Sequence, residues 1–319
     1  MQINKPLGFD ASRIARIRIN ASAVARRAAT LATRRTFKQE AQAAAYLRII
    51  ECLDLTELSG DDTPGRIERL CAKARRPVEP RILSALTEDS YRPRVGAVCV
   101  YHDGVVTAVQ ALRGSGIPVA AVSTGFPTGK IPHDVKLALI DASIRDGATE
   151  IDVVIDRAFV LTGQWHRLYN EIVSFRHVCG NRAKLKTIIG RGDIGTLEDV
   201  ARATACAIMA GSDFVKTSTG YEPTNADLLT GLVMVRQIRE FYCECRCVVG
   251  FKPAGGIRVA KDAMSWLILM REELGDLDPA WITPKLFRIG ASKLLNDLEQ
   301  QLEHCATGSY SAPYYHPLG

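Results

Sequence analysis

Eight short β-branched runs, separated by longer stretches with helical periodicity, constrain this chain more than any other feature. The runs are Ile49 to Leu55, Val95 to Tyr101, Pro118 to Ser123, Glu150 to Ile155, Leu185 to Ile189, Asp213 to Lys216, Val248 to Lys252 and Leu286 to Ile289. Between them the pattern predicts helices, among them Asp134 to Asp146, Leu197 to Met209, Asn225 to Glu240 and Ala260 to Glu273, with Gly or Asp near most boundaries. Eight strands each followed by a helix, at intervals of about 30 residues, predict an α/β chain whose parallel sheet closes into a (β/α)8 TIM barrel. An open doubly wound sheet would carry a glycine fingerprint after its first strand, and Asp54, Leu55, Thr56, Glu57 and Leu58 offer none.

The 319 residues suit one such barrel with additions at its ends. The expected division is an N-terminal helical extension packed on the barrel over 1–47, the catalytic barrel over 48–304 and a flexible tail over 305–319. The extension is basic from Asp10 to Leu47, with Arg13, Arg16, Arg18, Arg26, Arg27, Arg34 and Arg35 among many alanines. Such a start can be a transit peptide or a solvated helical face, and the second reading is preferred because apolar positions continue into the first strand. A nucleic-acid arm has little support, since Phe9 is the only aromatic residue before Phe37 and stacking needs more. No apolar run is long enough for a membrane span, and no secretory signal is evident, so a cytoplasmic location is expected. Nine scattered cysteines suit a reducing compartment. Cys243, Cys245 and Cys247, read as extended chain, share one face only roughly and lack zinc spacing, so no metal and no other cofactor is expected. The net charge of +6 favours an anionic partner.

In the fourth strand Ile151, Val153 and Ile155 suit the outer face, which turns Glu150, Asp152 and Val154 inward. Lys216 and Lys252 end the sixth and seventh strands, where a barrel of this kind has its active site. Neighbouring parallel strands lie about 4.8 Å apart, so two ammonium groups would crowd one small volume and repulsion would lower at least one pKa. A lysine brought down to about 7 is half neutral at that pH, at a cost on the order of 4 kcal/mol. A neutral lysine in a barrel mouth points to Schiff-base chemistry on a carbonyl substrate, with Asp152 moving protons. A structural ion pair between Asp152 and a lysine is the competing reading. Glycine-rich loops follow both last strands: Pro253, Ala254, Gly255, Gly256, Ile257, Arg258, and then Gly290, Ala291, Ser292. Loops in these positions often build a phosphate site from backbone N–H groups at helix starts.

The segments Phe214, Val215, Lys216, Thr217, Ser218, Thr219, Gly220 and Gly250 to Arg258 resemble the two signatures of the deoxyribose-phosphate aldolase family. Asp54 to Thr56, Glu150 to Val154 and Gly290 to Ser292 extend the resemblance over about residues 8–310, in the longer, animal-type form. It implies reversible cleavage of 2-deoxy-D-ribose 5-phosphate to D-glyceraldehyde 3-phosphate and acetaldehyde, with small phosphosugar and aldehyde partners, no nucleic acid and no membrane. By position, Lys216 is then the Schiff-base lysine, Lys252 the lysine that tunes it and Asp152 the residue that moves protons. Asp54 and Thr219 would hold substrate hydroxyls, and Gly220, Gly255, Gly256, Arg258, Gly290 and Ser292 would bind substrate around the phosphate. A tail tyrosine, Tyr310, Tyr314 or Tyr315, would assist proton transfer. Three departures stand out. Tyr221 replaces a phosphate-binding lysine, Lys293 follows the serine and could restore the charge, and Gly190, Arg191, Gly192 could alter the pocket. The rival readings are a Schiff-base barrel aldolase for another phosphorylated sugar and a sugar-phosphate binding barrel without turnover; a homo-oligomer is compatible with all of them.

Overall fold

The computed structural model of the protein describes residues 3–34, 40–88 and 90–316. Arg35 and Phe37 of the basic start, and the last three residues of the tail, lie outside them. The strands are β1 Leu53–Thr56, β2 Ala97–Val100, β3 Val119–Ser123, β4 Glu150–Val154, β5 Lys184–Ile188, β6 Phe214–Lys216, β7 Gly250–Lys252 and β8 Ile289–Gly290. All pair in parallel in the order β7-β6-β5-β4-β3-β2-β1-β8. Bridges Phe251 to Phe287 and Ala254 to Gly290 join the two ends, so the sheet closes into a (β/α)8 barrel.

The helices are α1 Ala11–Arg16, α2 Ala21–Leu31, α3 Glu40–Glu51, α4 Pro64–Arg75, α5 Pro80–Leu86, α6 Val105–Ala111, α7 His133–Arg145, α8 Arg157–Leu161, α9 Trp165–Cys179, α10 Leu197–Met209, α11 Leu228–Cys245, α12 Ala260–Met270 and α13 Lys293–Thr307. Their buried faces and the outward strand residues, including Ile151, Val153 and Ile155, form one continuous apolar shell. Trp281 anchors its lower rim, fully buried with its indole N–H donating to the Val249 carbonyl at 2.8 Å.

The basic start is broken rather than continuous. Asp10 and Asn20 each accept an N–H two or three residues into the following helix, and so open α1 and α2 as separate segments. Its arginines face carboxylates of the barrel: Arg13 meets Glu244 and lies over the Phe241 ring at 4.1 Å. Arg27 meets Glu272 at 2.7 Å and Glu273 at 3.2 Å.

Three boundaries differ from expectation for physical reasons. Ile49 and Ile50 are fully buried but helical, because a short apolar run does not distinguish a buried strand from the inner face of a helix. At the eighth strand, the N–H groups of Leu286 and Phe287 are taken by the Thr283 carbonyl, so regular pairing begins only at Ile289. The cysteine run is not extended: α11 continues to Cys245 and stops where Arg246 takes a left-handed conformation. Residues two apart on a helix point about 200° from one another, which separates Cys243 from Cys245.

Candidate active site

Alternation along β4 sends Glu150 and Asp152 into the barrel, where both are buried. They meet a set of cations contributed by the other strands. Asp152 is level with Lys186 on β5, and Lys216 stands one step higher, level with Lys252 on β7. Asp152 Oδ2 accepts from Lys216 Nζ at 2.9 Å and from Lys252 Nζ at 2.8 Å. Its Oδ1 lies 3.2 Å from Lys186 Nζ yet has no aligned donor. Asp54, from β1, lies 2.5 Å from Lys252 Nζ and 3.1 Å from Lys186 Nζ, and accepts from Arg288 at 2.7 Å. Glu150 completes the lower layer, 2.5 Å from Lys186 and 3.0 Å from Arg288.

The two lysines at the mouth therefore titrate in opposite directions. Burial lowers the pKa of Lys216, Asp152 opposes it, and the Lys252 charge assists. Repulsion between the two lysines, expected from the sequence to dominate, is second to desolvation. For Lys252 burial acts the same way, but Asp152 and Asp54 together outweigh it and raise the pKa. For Lys186 three carboxylates, Asp152, Asp54 and Glu150, overcome burial by a wide margin. Asp152 is held far below the ordinary carboxylate range, because Lys186, Lys216 and Lys252 outweigh its own burial.

The desolvation of Lys216 has a visible source. On its β2–β3 side the barrel interior is apolar, built from Cys99, Ala120 and Val122 with Leu58, Tyr101 and Phe126 packed against them. Lys216 Nζ lies 5.7 Å from the centroid of the Phe126 ring. Tyr221 meets that ring edge-on at 5.8 Å, and its hydroxyl donates to the Leu58 carbonyl. Tyr221 thus ties the loop after β6 to the loop after β1.

The glycine loops converge beside this mouth. Gly220 and Gly255 both take positive φ, and a Cβ on Gly220 would stand 3.9 Å from the Gly255 Cα. At Gly255 a side chain would collide with Asn225 at 2.8 Å. Gly290 is equally tight, with Ala254 and the Lys252 side chain against it. Ser292 Oγ accepts from the Thr56 N–H at 2.8 Å and donates to the Thr56 carbonyl at 2.7 Å, so the loops after β1 and β8 are joined. Lys293 opens α13 and is exposed, as are Gly256 and Arg258. Only α13 begins directly at this loop; the first N–H of α12, on Ala260, is already taken by Asp297 at 2.6 Å.

Other expected residues are engaged by partners within the protein. Arg191 donates to Thr230 at 2.8 Å and to the Ile194 carbonyl at 3.1 Å, and so braces the start of α11. Thr219 is buried with its hydroxyl donating to Glu222 at 3.1 Å. Asp54 has no exposed surface and is committed to three cations. The tail tyrosines lie away from Lys216: Tyr310 stacks on His304 at 4.2 Å, while Tyr314 and Tyr315 stack on one another and are exposed. His316 is buried in the tail, its ring near Glu303 at 2.9 Å and its carbonyl bound by Asn296 at 2.8 Å. Lys186 and Arg288 escaped the sequence reading. A charged residue at an inward position of a strand, between Leu185 and Thr187, was the available signal for Lys186.

Comparison with known proteins agrees with this arrangement. Residues 49–299 match the model of the DeoC/LacD family aldolase. The mouse deoxyribose-phosphate aldolase is 50% identical over 312 residues, covering 97% of this chain and 96% of that one. The human deoxyribose-phosphate aldolase is 50% identical over 317 residues, covering 99% and 98%. Among solved structures, one from Toxoplasma gondii ME49 superposes with a TM-score of 0.70 at 21% identity, covering 85% of this chain and 97% of that one. The deoxyribose phosphate aldolase from Aeropyrum pernix, described as a tetramer, gives 0.59 at 20% identity with the same coverage, and both share the fold. A buried lysine pair at the carboxyl end of a closed barrel, together with half-identity over nearly the whole chain, places this protein in the DeoC/LacD aldolase family.

Proposed function

We propose that this chain is a class I aldolase that reversibly cleaves 2-deoxy-D-ribose 5-phosphate to D-glyceraldehyde 3-phosphate and acetaldehyde through a Schiff base on Lys216. The observation that carries this reading is the burial of Lys216 at the barrel mouth, level with Lys252 and held by a single carboxylate, an arrangement that lowers its pKa. The neutral Lys216 amine attacks the C1 aldehyde of the open-chain sugar, and loss of water from the carbinolamine leaves an iminium. The C3 hydroxyl then gives up its proton, the C2–C3 bond breaks toward the iminium, and D-glyceraldehyde 3-phosphate departs. Protonation of the enamine at C2 followed by hydrolysis releases acetaldehyde and restores the amine. Asp152, anionic and 2.9 Å from Lys216, is suited to move these protons directly or through one water. Lys252, kept charged, fixes Asp152 and favours the neutral form of Lys216.

Substrate binding is assigned to the converging loops. Gly220, Gly255, Gly256, Gly290 and Ser292 surround the phosphate, with Lys293 and Arg258 supplying charge from the rim. Asp54 and Thr219 line the sugar side, each already ordered by its protein partners. The basic helices are occupied by carboxylates of the barrel, which supports a small-molecule partner rather than nucleic acid. Free cysteines throughout the described residues support a cytoplasmic setting, no described helix is long and apolar enough to cross a membrane, and a homo-oligomer is compatible with the fold.

The test is acetaldehyde release from 2-deoxy-D-ribose 5-phosphate in the presence of a chelator. Turnover by the wild type, with a loss on the order of 10⁴-fold or more in Lys216→Met, is expected for removal of a covalent nucleophile. Full activity in Lys216→Met, or none in the wild type, would refute the assignment.

A further inference from the structure

The end of the barrel opposite Lys216 carries a cavity of about 1160 Å³. It opens at the amino ends of β2 to β5, away from every loop assigned above to the sugar phosphate. Its lining holds six cationic residues, Arg48, Arg92, Arg94, Lys184, Lys285 and Arg288, against three carboxylates, Glu51, Glu150 and Asp278. The excess is positive, and a concave surface with low-dielectric walls concentrates such a potential.

The cavity has a built floor and two unlike sides. At the floor Arg288 and Glu150 are buried and paired at 3.0 Å, and Gly96 leaves Arg288 its room, since a Cβ there would stand 2.9 Å from the arginine Cδ. Arg48, Arg94 and Lys285 stand exposed at the rim. Lys184, half-buried between rim and floor, lies 5.5 Å from the centroid of the Phe214 ring. The other side is apolar, with Val109, Leu112 and Ile117 facing the same space. Guanidinium and ammonium groups around a concavity match a phosphate, and an apolar wall beside them matches the organic part of its ester.

We propose that this end of the barrel is a binding site for a phosphate ester, with the phosphate among Arg94, Lys184 and Lys285 and the organic group against Leu112 and Ile117. No loop of the Lys216 mouth takes part, so the proposal stands independently of the aldolase reading. Isothermal titration of the full chain with adenosine monophosphate and with inorganic pyrophosphate tests it. Adenosine monophosphate should bind the wild type more tightly than pyrophosphate, and the Arg94→Ala/Lys285→Ala double variant should weaken it by about tenfold or more. Lys293→Ser, at the other mouth, should leave that binding unchanged. Both rim residues are exposed, and an unchanged melting temperature shows that the double variant is folded; the single variant Lys285→Glu serves in its place otherwise. Equal or tighter binding of pyrophosphate, no binding of adenosine monophosphate, or a loss caused by Lys293→Ser but not by the rim variants would overturn the proposal.

Discussion

Lys216 and Lys186 are the same residue type, both buried inside one barrel, and they titrate in opposite directions. Lys216 at the mouth meets one carboxylate, lies beside a second lysine and faces an apolar wall, and its pKa falls. Lys186, one layer below, sits within 3.2 Å of Asp54, Glu150 and Asp152, and its pKa rises well above the ordinary value. Burial acts against both charges; the number of carboxylates within reach decides the outcome. The lower layer is therefore a structural ionic plug, and the upper layer holds the amine to which the proposed chemistry is assigned.

The largest expected effect falls on the lower layer. Lys186→Met leaves three buried carboxylates short of a cation and should cost about 3–5 kcal/mol in urea unfolding, the scale of breaking a buried ion pair. Lys216→Met removes a group whose charged form is already disfavoured and should cost far less. Equal losses in the two variants would erase the distinction between the layers.

Acid should act on the same plug. Asp54, Glu150 and Asp152 all have pKa values lowered in the folded state, the neighbouring cations prevailing over burial. Their contribution to stability is full above the unfolded carboxylate range and is lost as pH falls through the folded values, so the melting temperature should drop below about pH 4. A smaller drop in Lys186→Met would sharpen the comparison, and an identical drop would contradict it.

Lys252→Met addresses the upper layer. Because the Lys252 charge helps to lower the Lys216 pKa, its removal should move the acid limb of kcat/KM to higher pH while leaving Lys216 the site of reaction. A limb that stays in place would assign the whole effect to burial. The smallest effect is expected at the rim, where Lys293→Ser should raise KM for the phosphorylated sugar by about two- to fivefold, the range of an exposed ion pair, and leave free deoxyribose unaffected. Equal changes for both sugars would remove Lys293 from the phosphate site.

The barrel and the mouth were largely legible in the sequence, because strand parity fixes which side chains point inward. Alternation in β4 places Asp152, and the ends of β6 and β7 place Lys216 and Lys252. What parity does not reveal is how many opposite charges surround a buried one. That depends on Arg288 and Lys186, which come from segments distant in sequence; the weight of desolvation at Lys216 depends in turn on the apolar wall around Cys99, Val122 and Phe126. The protein partners of Arg191 and Asp54 were hidden for a related reason: the identity of a polar residue at a strand end does not say which protein groups it meets. The cysteine run near Cys245 shows the limit for local pattern, since alternation was inferred where a helix simply continued.

The account rests on one amine forming the Schiff base among the three lysines buried inside the barrel, and borohydride trapping with acetaldehyde followed by peptide mapping reads that directly. An ethyl group on Lys216, with Lys252 and Lys186 unmodified, is the predicted result; a label on Lys252 or Lys186, or none on Lys216, would contradict it.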